Sequence, residues 1–400
     1  MRIGLLTGEF PPMEGGVGAY TRELAKVLAV LGHEVHILTS RRARPEDASR
    51  RLRDLNEPID LGFAQLYPHV RQWRWPFLAQ AADWAVRYGL DLINIQYQAA
   101  AYHMRSPAVN FAPWRLNGVV KTAVTFHDLR VPYLFPKAGR LRQTAVRFLA
   151  RRAHGVIVTN QADYDTLCPI LHNPLTLIPI GSNIPTYTPM AAEKTAVRQQ
   201  LGLNDGDCLL GYFGFLNESK GADTLLAALA QLDNHTHLLF IGGQTGASDS
   251  TNQAFLAELR EQVAALGLAD RVHWTGFVAD AQVSTWLYAA DMMVMPYRDG
   301  VSLRRGTLMA VLAHERPLIT TFPQTPTPEL VHQTHAWFVP PNDPPALAAA
   351  IRTLQADPAL RQRLGSGAGQ AARLFGWEGI GEKTAVFFDR LLIDHSPNSR

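Results

Sequence analysis

The sequence predicts a mixed α/β protein with two doubly wound, mainly parallel sheets, and three observations lead to this prediction. The chain has 400 residues, 47% apolar and 18% charged, a composition typical of a globular protein with large cores. Short apolar runs alternate with runs of helical period along most of its length. The alternation lapses once, in the Pro-, Thr- and Ser-containing stretch 182–194, and then starts again, so we expect a domain on each side.

The first domain opens with a strand, a glycine loop, a helix and a second strand. The apolar run RIGLLT (2–7) leads into GEFPPMEGGVGAY, and the helical pattern that follows ends at Gly32. The run VHILTS comes directly afterwards, which predicts a βαβ unit with parallel strands. Further strands are predicted at DLINIQY (91–97), VKTAVTFHD (120–128), GVIVTN (155–160) and LTLIPI (175–180), and a helix at LRQTAVRFLARRA (141–153).

The second domain repeats this alternation. Its strands are predicted at CLLGYFGFL, HLLFIGG, RVHWTGFV, DMMVMPY, PLITT and AWFVP, and its helices at GADTLLAALAQL, NQAFLAELREQVAALGL and AQVSTWLYAA. The last amphipathic stretch, WEGIGEKTAVFFDRLLI, is expected to pack back on one of the domains. The predicted boundaries are 1–187 for the first domain, 188–375 for the second and 376–394 for the C-terminal helix.

Charge and cysteine content narrow the function classes. Residues 1–185 hold 22 Lys and Arg against 14 Asp and Glu, and residues 186–400 hold 16 against 21. The excess of basic residues in the first half suits an acidic or membrane-surface partner, or these residues form a solvated surface. The sequence contains no nucleic-acid recognition motif. Cys168 and Cys208 lie in no metal-binding or disulfide pattern. With no cleavage site after the opening run and no long apolar stretch, we expect a cytoplasmic protein, at most peripheral to the inner face of a membrane.

Arginine and aromatic residues are mixed between residues 41 and 77. Trp73, Trp75 and Phe77 follow a run of arginines: Arg41, Arg42, Arg44, Arg50, Arg51, Arg53, Arg71 and Arg74. Three interpretations are open: a surface that rests on anionic lipid headgroups, a loop that closes over a substrate, or a solvated face with both tryptophans buried.

The stretch from Tyr297 to Pro317, YRDGVSLRRGTLMAVLAHERP, predicts an anion-binding turn before a buried helix. Ser302 is a candidate cap, and amides at a helix start attract phosphate. The amides expected to be free belong to Arg305, Gly306 and Thr307. Arg304 or Arg305 would add a guanidinium that forks onto phosphate oxygens. The alternative is a buried helix with a solvated arginine pair.

Other candidate residues follow predicted strands. Gly15, Gly16 and Gly18 precede the first helix, where they either approach a phosphate or form a plain tight turn; their spacing does not fit a dinucleotide site. Lys220, in FGFLNESKG, either neutralises a diphosphate or is a solvated loop charge. His127 ends a strand, with a catalytic or a structural role. In parallel sheets such strand ends collect ligands.

These motifs together resemble a known family. GEFPPMEGGVGAYTRELAKVLAVLGHEVHILT, TFHDL, LIPIGSNIP, FGFLNESKGADTLLAAL, DRVHWTGFV and AADMMVMPY occur in that order over nearly the whole chain. They resemble the retaining glycosyltransferases of family 4, which have the GT-B fold. The resemblance implies an N-terminal acceptor-binding Rossmann-like domain, a C-terminal nucleotide-sugar-binding Rossmann-like domain, a central cleft that both face, and a last helix that crosses back to the first domain.

The resemblance also implies residue roles, with Gly16 near the donor phosphate, His127 near the transferred sugar and Lys220 on the diphosphate. The residues expected to be catalytic are His127, Lys220, Arg304 and Arg305. Those expected to bind the donor are Gly15, Gly16, Gly214, Gly243, Ser302, Gly306 and Thr307, with selectivity around Gly242, Gly243 and Phe277. Those expected to bind the acceptor are Glu9, Asp128 and Asn160.

The chain departs from the family pattern at several of these positions. The family's acidic pair falls on Ser302 and Ala310, its phosphate-binding arginine on Phe215, and the glycine before Pro317 on Glu315. A diphosphate leaving group is stabilised far better by two cations than by one. We therefore hypothesise that Arg304 or Arg305 restores the missing charge.

The expected activity is metal-independent transfer of a sugar, with retention of configuration, from a nucleotide-sugar donor to a glycan or lipid-linked acceptor. The donor is a substrate, and no cofactor or metal is expected. Attack on the front face needs no protein nucleophile, which agrees with a site of amides, Lys, Arg and His. Two alternatives are a catalytically silent relative that binds or regulates a partner and a sugar-nucleotide epimerase.

Overall fold

The computed structural model describes residues 1–13, 15–46, 57–102, 106–129, 141–243, 250–276 and 278–393. Among the residues discussed above, Arg50, Arg51, Arg53 and Phe277 lie outside these ranges. The chain forms two compact units: unit 1 contains Met1–Gly181 and the C-terminal segment from Trp377, and unit 2 contains Ser182–Gly376.

The division after Gly181 comes earlier than the sequence-based boundary at 187, and hydrogen bonds explain the difference. The hydroxyl of Ser284 in unit 2 donates to the carbonyl of Pro185 (3.0 Å), and the amide of Tyr187 donates to the same hydroxyl (3.4 Å). The first residues of the Pro- and Thr-containing stretch are therefore bonded into unit 2.

Unit 1 has a sheet of strand order β3-β4-β2-β1-β5-β6-β7-β8 within the described residues. Every neighbouring pair is parallel except β3 and β4. The central strands are buried along almost their whole length, which is typical of a sheet covered by helices on both faces. The strands are β1 (Arg2–Thr7), β2 (Glu34–Ser40), β3 (Ile59–Asp60), β4 (Gln65–Val70), β5 (Leu92–Tyr97), β6 (Lys121–Phe126), β7 (Gly155–Val158) and β8 (Leu175–Leu177).

The helices of unit 1 cover these strands and include the last helix of the chain. They are α1 (Gly16–Val30), α2 (Pro76–Arg87), α3 (Ala112–Leu116), α4 (Leu141–Arg152), α5 (Gln161–Leu167) and α13 (Trp377–Ile393). Two glycines let α13 approach. A Cβ at Gly155 in β7 would lie 2.6 Å from Leu391, and a Cβ at Gly381 in α13 would lie 2.3 Å from Val27 in α1. The C-terminal helix thus packs on unit 1.

Unit 2 has a wholly parallel sheet of order β11-β10-β9-β12-β13-β14 within the described residues. Its strands are β9 (Cys208–Phe213), β10 (Thr236–Ile241), β11 (Val272–Trp274), β12 (Met292–Met295), β13 (Leu318–Thr321) and β14 (Trp337–Val339). Its helices are α6 (Ala191–Gln200), α7 (Ala222–Leu229), α8 (Ser250–Ala265), α9 (Asp280–Ala289), α10 (Gly306–Ala313), α11 (Pro344–Ala356) and α12 (Pro358–Ala372). Helix α10 is uncharged and its residues Leu308 to Leu312 are buried, as its sequence predicted.

Among the described residues, none of the helices combines the length and the apolar character that a membrane crossing requires.

Candidate active site

Lys220 lies at the carboxyl end of the unit 2 sheet, in a short 3₁₀ turn between β9 and α7. Its ammonium donates a 2.7 Å hydrogen bond to the carbonyl of Phe215. Burial, the larger cause, and the positive charge of Arg305 together lower the pKa of Lys220 to about 7. Near neutral pH this lysine therefore exchanges between a charged and an uncharged form.

Glycine residues bring Lys220 close to the start of α10. Gly214 has φ of 117°, and a Cβ there would lie 2.7 Å from the Thr307 side chain and 3.3 Å from the Lys220 ammonium. Gly243 lies beside the same loop, since its Cβ would be 2.9 Å from the ring of Phe215. Larger residues at these positions would fill the space around the lysine.

The helix start opposite Lys220 presents free amides. Helix α10 begins at Gly306, and no described atom accepts a hydrogen bond from the amides of Gly306 or Thr307. The N-cap is Arg305, with no side-chain cap, so the prediction that Ser302 caps this helix is wrong. Ser302 lies too far before the first helical residue to accept from its amides. Two amides and the helix dipole nevertheless favour an anion here.

Asp299 holds both arginines of this region, a role that sequence reasoning missed. One carboxylate oxygen of Asp299 accepts from Arg304 at 3.3 Å, and the other accepts from Arg305. The Arg305 guanidinium also lies 4.0 Å from the centre of the Tyr297 ring. The arginines are therefore held by protein groups, whereas the sequence suggested either a guanidinium directed at phosphate or a solvated arginine pair.

Two buried polar atoms beside these arginines have no partner among the described residues. They are Nε of Arg305 and the hydroxyl of Tyr212, whose pKa burial raises well above its usual value. Buried polar groups usually bond to protein, water or ligand, so a partner for each of these two atoms is expected.

The substituted family positions explain part of the local geometry. Ala310 is fully buried in α10, where the family has a carboxylate. Glu315 follows the end of α10 with φ of 53°, the left-handed conformation for which glycine is preferred at a helix C-terminus. Glu315 thus adopts a backbone conformation that glycine adopts more readily.

In unit 1 the glycine loop surrounds a carboxylate of the chain itself. One Glu9 oxygen accepts from the amides of Val17 (3.0 Å) and Gly18 (3.3 Å) at the start of α1. A Cβ at Gly15 would lie 2.1 Å from this carboxyl group, whereas one at Gly16 would meet nothing within 4 Å. Burial raises the pKa of Glu9, although the two amide bonds oppose this. The amides expected to face a phosphate are partly satisfied by Glu9.

His127 is held by a buried polar network at the end of β6. Its Nε2 lies 2.9 Å from Oε1 of Gln96, whose amide nitrogen donates to Asn94. Because Oε1 can only accept, Nε2 carries the proton and Nδ1 keeps its lone pair. Tyr20 packs edge-on against the ring, with centroids 4.7 Å apart. Burial lowers the pKa of His127 to about 3, so the imidazole is neutral at physiological pH.

Asn160 and Asp128 follow neighbouring strands. Asn160 caps α5 by accepting from the Asp163 amide (3.0 Å), and its amide nitrogen donates to the Asp163 carboxylate (2.9 Å). Asp128 is half-buried, directly after His127. Because β1, β6 and β7 are parallel, Glu9, His127 and Asn160 follow strand ends at one edge of the sheet.

The aromatic residues of the arginine-rich region differ in burial. Trp73 and Phe77 are buried, whereas Trp75 is 52% exposed. The interpretation with both tryptophans buried is therefore wrong for Trp75, which precedes the first turn of α2.

Two α/β units with parallel sheets, each with polar residues at its strand ends, are the architecture of the GT-B fold. The fold matches that of Anabaena HepE in complex with UDP and glucose, with a TM-score of 0.75, 19% identity and coverage of 98% of this chain and 100% of HepE. The family model Glycosyltransferase Family 4 matches residues 14–184, and Glycosyl transferases group 1 matches residues 207–357. The two models together match most of the chain, which belongs to the glycosyltransferases that carry a Family 4 domain followed by a group 1 domain.

Curated relatives agree with this assignment. The D-inositol 3-phosphate glycosyltransferase of Thermobispora bispora is 25% identical over 405 residues, covering 94% of this chain and 90% of the relative. The enzyme of the same name from Xylanimonas cellulosilytica is 28% identical over 218 residues, covering 53% of this chain. The match to the Xylanimonas enzyme spans 50% of that enzyme's length.

Proposed function

We propose that this chain transfers a sugar from a nucleotide-sugar donor to a glycan or lipid-linked acceptor, with retention of configuration and without a metal. The observation that carries the proposal is that Lys220 lies beside the start of α10, where no described atom accepts a hydrogen bond from the amides of Gly306 and Thr307. A cation and a helix N-terminus that converge on one space suit the diphosphate of a nucleotide sugar. The UDP in the HepE complex supports a nucleotide donor.

The leaving diphosphate requires more charge than a half-charged lysine provides. Arg305 is the nearest permanent cation, since its charge acts on Lys220 and its Nε has no described partner. Asp299 holds the Arg305 guanidinium beside the site. We infer that Arg305, with Arg304 behind it, supplies the second charge that the family usually places at the position of Phe215.

In unit 1, the proposed role of His127 is to orient a sugar hydroxyl. Its neutral imidazole has a lone pair on Nδ1 and can accept a hydrogen bond there, but it carries no positive charge. Glu9, Asp128 and Asn160 are proposed to line the acceptor side, and Gly16 leaves room for a ligand. The proton of the acceptor would pass to the leaving phosphate, which needs no general base in the protein.

Nucleotide binding tests the donor half of the proposal. We would measure the melting temperature of the protein with UDP, GDP, ADP and TDP, and with their common sugar conjugates. A true donor stabilises the native state in a concentration-dependent way. Lys220→Ala should weaken this shift, whereas Lys383→Ala, which removes an exposed lysine of α13, should leave it unchanged.

Turnover tests the remaining claims. With the stabilising sugar nucleotide and a panel of glycan acceptors, the anomeric coupling constant of the product reports whether configuration is retained. Activity should persist in excess EDTA. Inverted product, or activity that EDTA abolishes and a divalent cation restores, would contradict the proposal.

A catalytically silent relative is the second candidate, and a specific observation favours it. Ser302 and buried Ala310 replace both carboxylates that the family uses on sugar and ribose. A silent protein would be stabilised weakly or not at all by sugar nucleotides, and would release neither nucleotide nor transferred sugar. Nucleotide release that depends on an acceptor would exclude it.

A further inference from the structure

We propose that unit 1 contains a second anion site, which binds the phosphate of a phosphate ester that serves as the acceptor. The site is a cavity of about 620 Å³ lined by Arg41, His69, Arg71, Gln72, Arg74 and Gln80, with the start of α2. We call it the arginine cavity. That the bound phosphate ester is the acceptor rests on the proposed function. That the cavity binds a phosphate ester is inferred from the cavity alone.

The fold brings the three arginines to one place. Arg41 directly follows β2 and Arg71 directly follows β4, and these strands are parallel neighbours about 4.8 Å apart. Both side chains therefore leave the same edge of the sheet. Arg41 is fixed by its Nε, which donates to the His69 carbonyl at 3.2 Å. Arg74 joins them from the turn that leads into α2.

The arginines of the arginine cavity have no acidic partner among the residues that the structure describes. None of the cavity's lining residues is acidic, and the described part of the chain holds no ion pair of Arg41, Arg71 or Arg74. Helix α2 adds the positive end of its dipole and has no acidic residue in its first turn. The pKa of His69 is lowered by burial, and the charges of Arg41 and Arg44 lower it further, against the effect of Glu57.

The chemistry of the lining indicates a phosphorylated polyol. Guanidinium groups bind the paired oxygens of a phosphate in a forked geometry, and three of them exceed what one carboxylate needs. The side-chain amides of Gln72 and Gln80 donate and accept, as sugar hydroxyls require. From β4 to β1, whose end carries Glu9, is two strand spacings, roughly 10 Å. A sugar phosphate held in the cavity would extend from this part of the sheet towards the strand end that carries Glu9.

Such a phosphate has two possible sources, a soluble sugar phosphate or a lipid-linked sugar. Glucose 6-phosphate serves as the soluble probe, with glucose as its uncharged control at matched ionic strength. Vesicles of phosphatidylglycerol in phosphatidylcholine serve as the lipid probe, with pure phosphatidylcholine as control. Melting temperature reports the first and co-sedimentation the second.

The test variant carries Arg41→Gln, Arg71→Gln and Arg74→Gln. The matched variant carries Arg115→Gln, Arg147→Gln and Arg363→Gln, which remove the same charge from exposed positions elsewhere. We expect at least one phosphate probe to bind the wild type, and its apparent affinity to fall at least ten-fold in the test variant alone. Loss with glucose 6-phosphate identifies a soluble ligand, and loss with vesicles alone identifies a lipid phosphate.

The proposal is overturned if neither probe binds the wild type, or if both variants bind the probes equally well. The melting-temperature shift with UDP is measured in parallel on all three proteins. That shift should be unchanged in the test variant, which also shows that the variant is folded. A wild type that ignores UDP but binds glucose 6-phosphate through these arginines would refute the proposed function and leave the arginine cavity in place.

Discussion

The lowered pKa of Lys220 makes nucleotide affinity depend on pH near neutrality. If only the ammonium form binds a diphosphate, affinity scales with the charged fraction of Lys220 in the free protein. With a pKa of about 7, that fraction is about one half at pH 7 and about one tenth at pH 8. The apparent Kd for UDP should therefore rise about five-fold between pH 7 and 8, and about sixteen-fold by pH 8.5.

Isothermal titration provides the assay. The last phosphate ionisation of UDP lies near pH 6, so the charge of the ligand hardly changes over this range. Titrations in two buffers with different ionisation enthalpies should show uptake of about 0.9 proton per UDP at pH 8, since the lysine becomes charged on binding. Lys220→Arg, which stays charged, should remove the pH dependence. A constant Kd from pH 7 to 8.5 in the wild type would refute the reasoning, because Lys220 would then either not titrate or not contact the ligand.

Three further predictions concern stability and coupling. Gly381→Ala should lower the free energy of unfolding by about 1–3 kcal/mol, because its methyl group would overlap Val27. Gly379→Ala in the same helix has open space around it and should raise the free energy of unfolding slightly. Urea denaturation measures both variants, and equal effects would contradict the packing of Gly381 on Val27. Ser284→Ala removes the hydroxyl that lies 2.7 Å from Nε2 of buried His314 and should cost about 1–3 kcal/mol by the same measurement. Ser366→Ala, at an exposed position of α12, should have an effect near zero and serves as the control. Asp299→Asn leaves the charge of Arg305 uncompensated, so the pH at which UDP affinity falls should move below that of the wild type; a midpoint that stays or rises would show that Asp299 does not control the field at Lys220.

His127 adds a pH dependence to the stability itself. Its pKa of about 3 in the folded protein lies below the ordinary value of 6.5, so the unfolded chain binds more protons between these values. The contribution of neutral His127 is fully present above about pH 6.5 and is lost as the pH falls towards 3. His127→Gln should reduce this part of the acid destabilisation.

The alternation of apolar and helical runs was sufficient to predict the fold. The C-terminal helix Trp377–Ile393 coincides with its predicted stretch because both faces of the helix are clearly distinguished in sequence. Strand β4 was not predicted, since Pro68 lies in its interior and proline argues against a strand. The sheet tolerates it beside an irregular register between Thr39 and Ser40 of β2.

The candidate site was less predictable because its contacts join residues that are distant in sequence. Lys220 and His127 were selected from the sequence because each is a titratable residue that follows a predicted strand. Gln96, which fixes the tautomer of His127, is 31 residues away and is brought near only by the pairing of β5 with β6. The bond from Asp299 to the two arginines is local, but their sequence alone does not say whether such side chains turn towards each other or towards solvent.

The C-terminal helix also has a consequence for biosynthesis. Unit 2 is continuous in the chain, whereas unit 1 is completed by α13, which the ribosome makes after all of unit 2. Until then, the surfaces of β7 at Gly155 and of α1 at Val27 lack the side chains that cover them. The first part of unit 1 to be synthesised is therefore completed only after the last helix has been made. A nascent chain stopped before Trp377 would expose this apolar surface to chaperones and proteases.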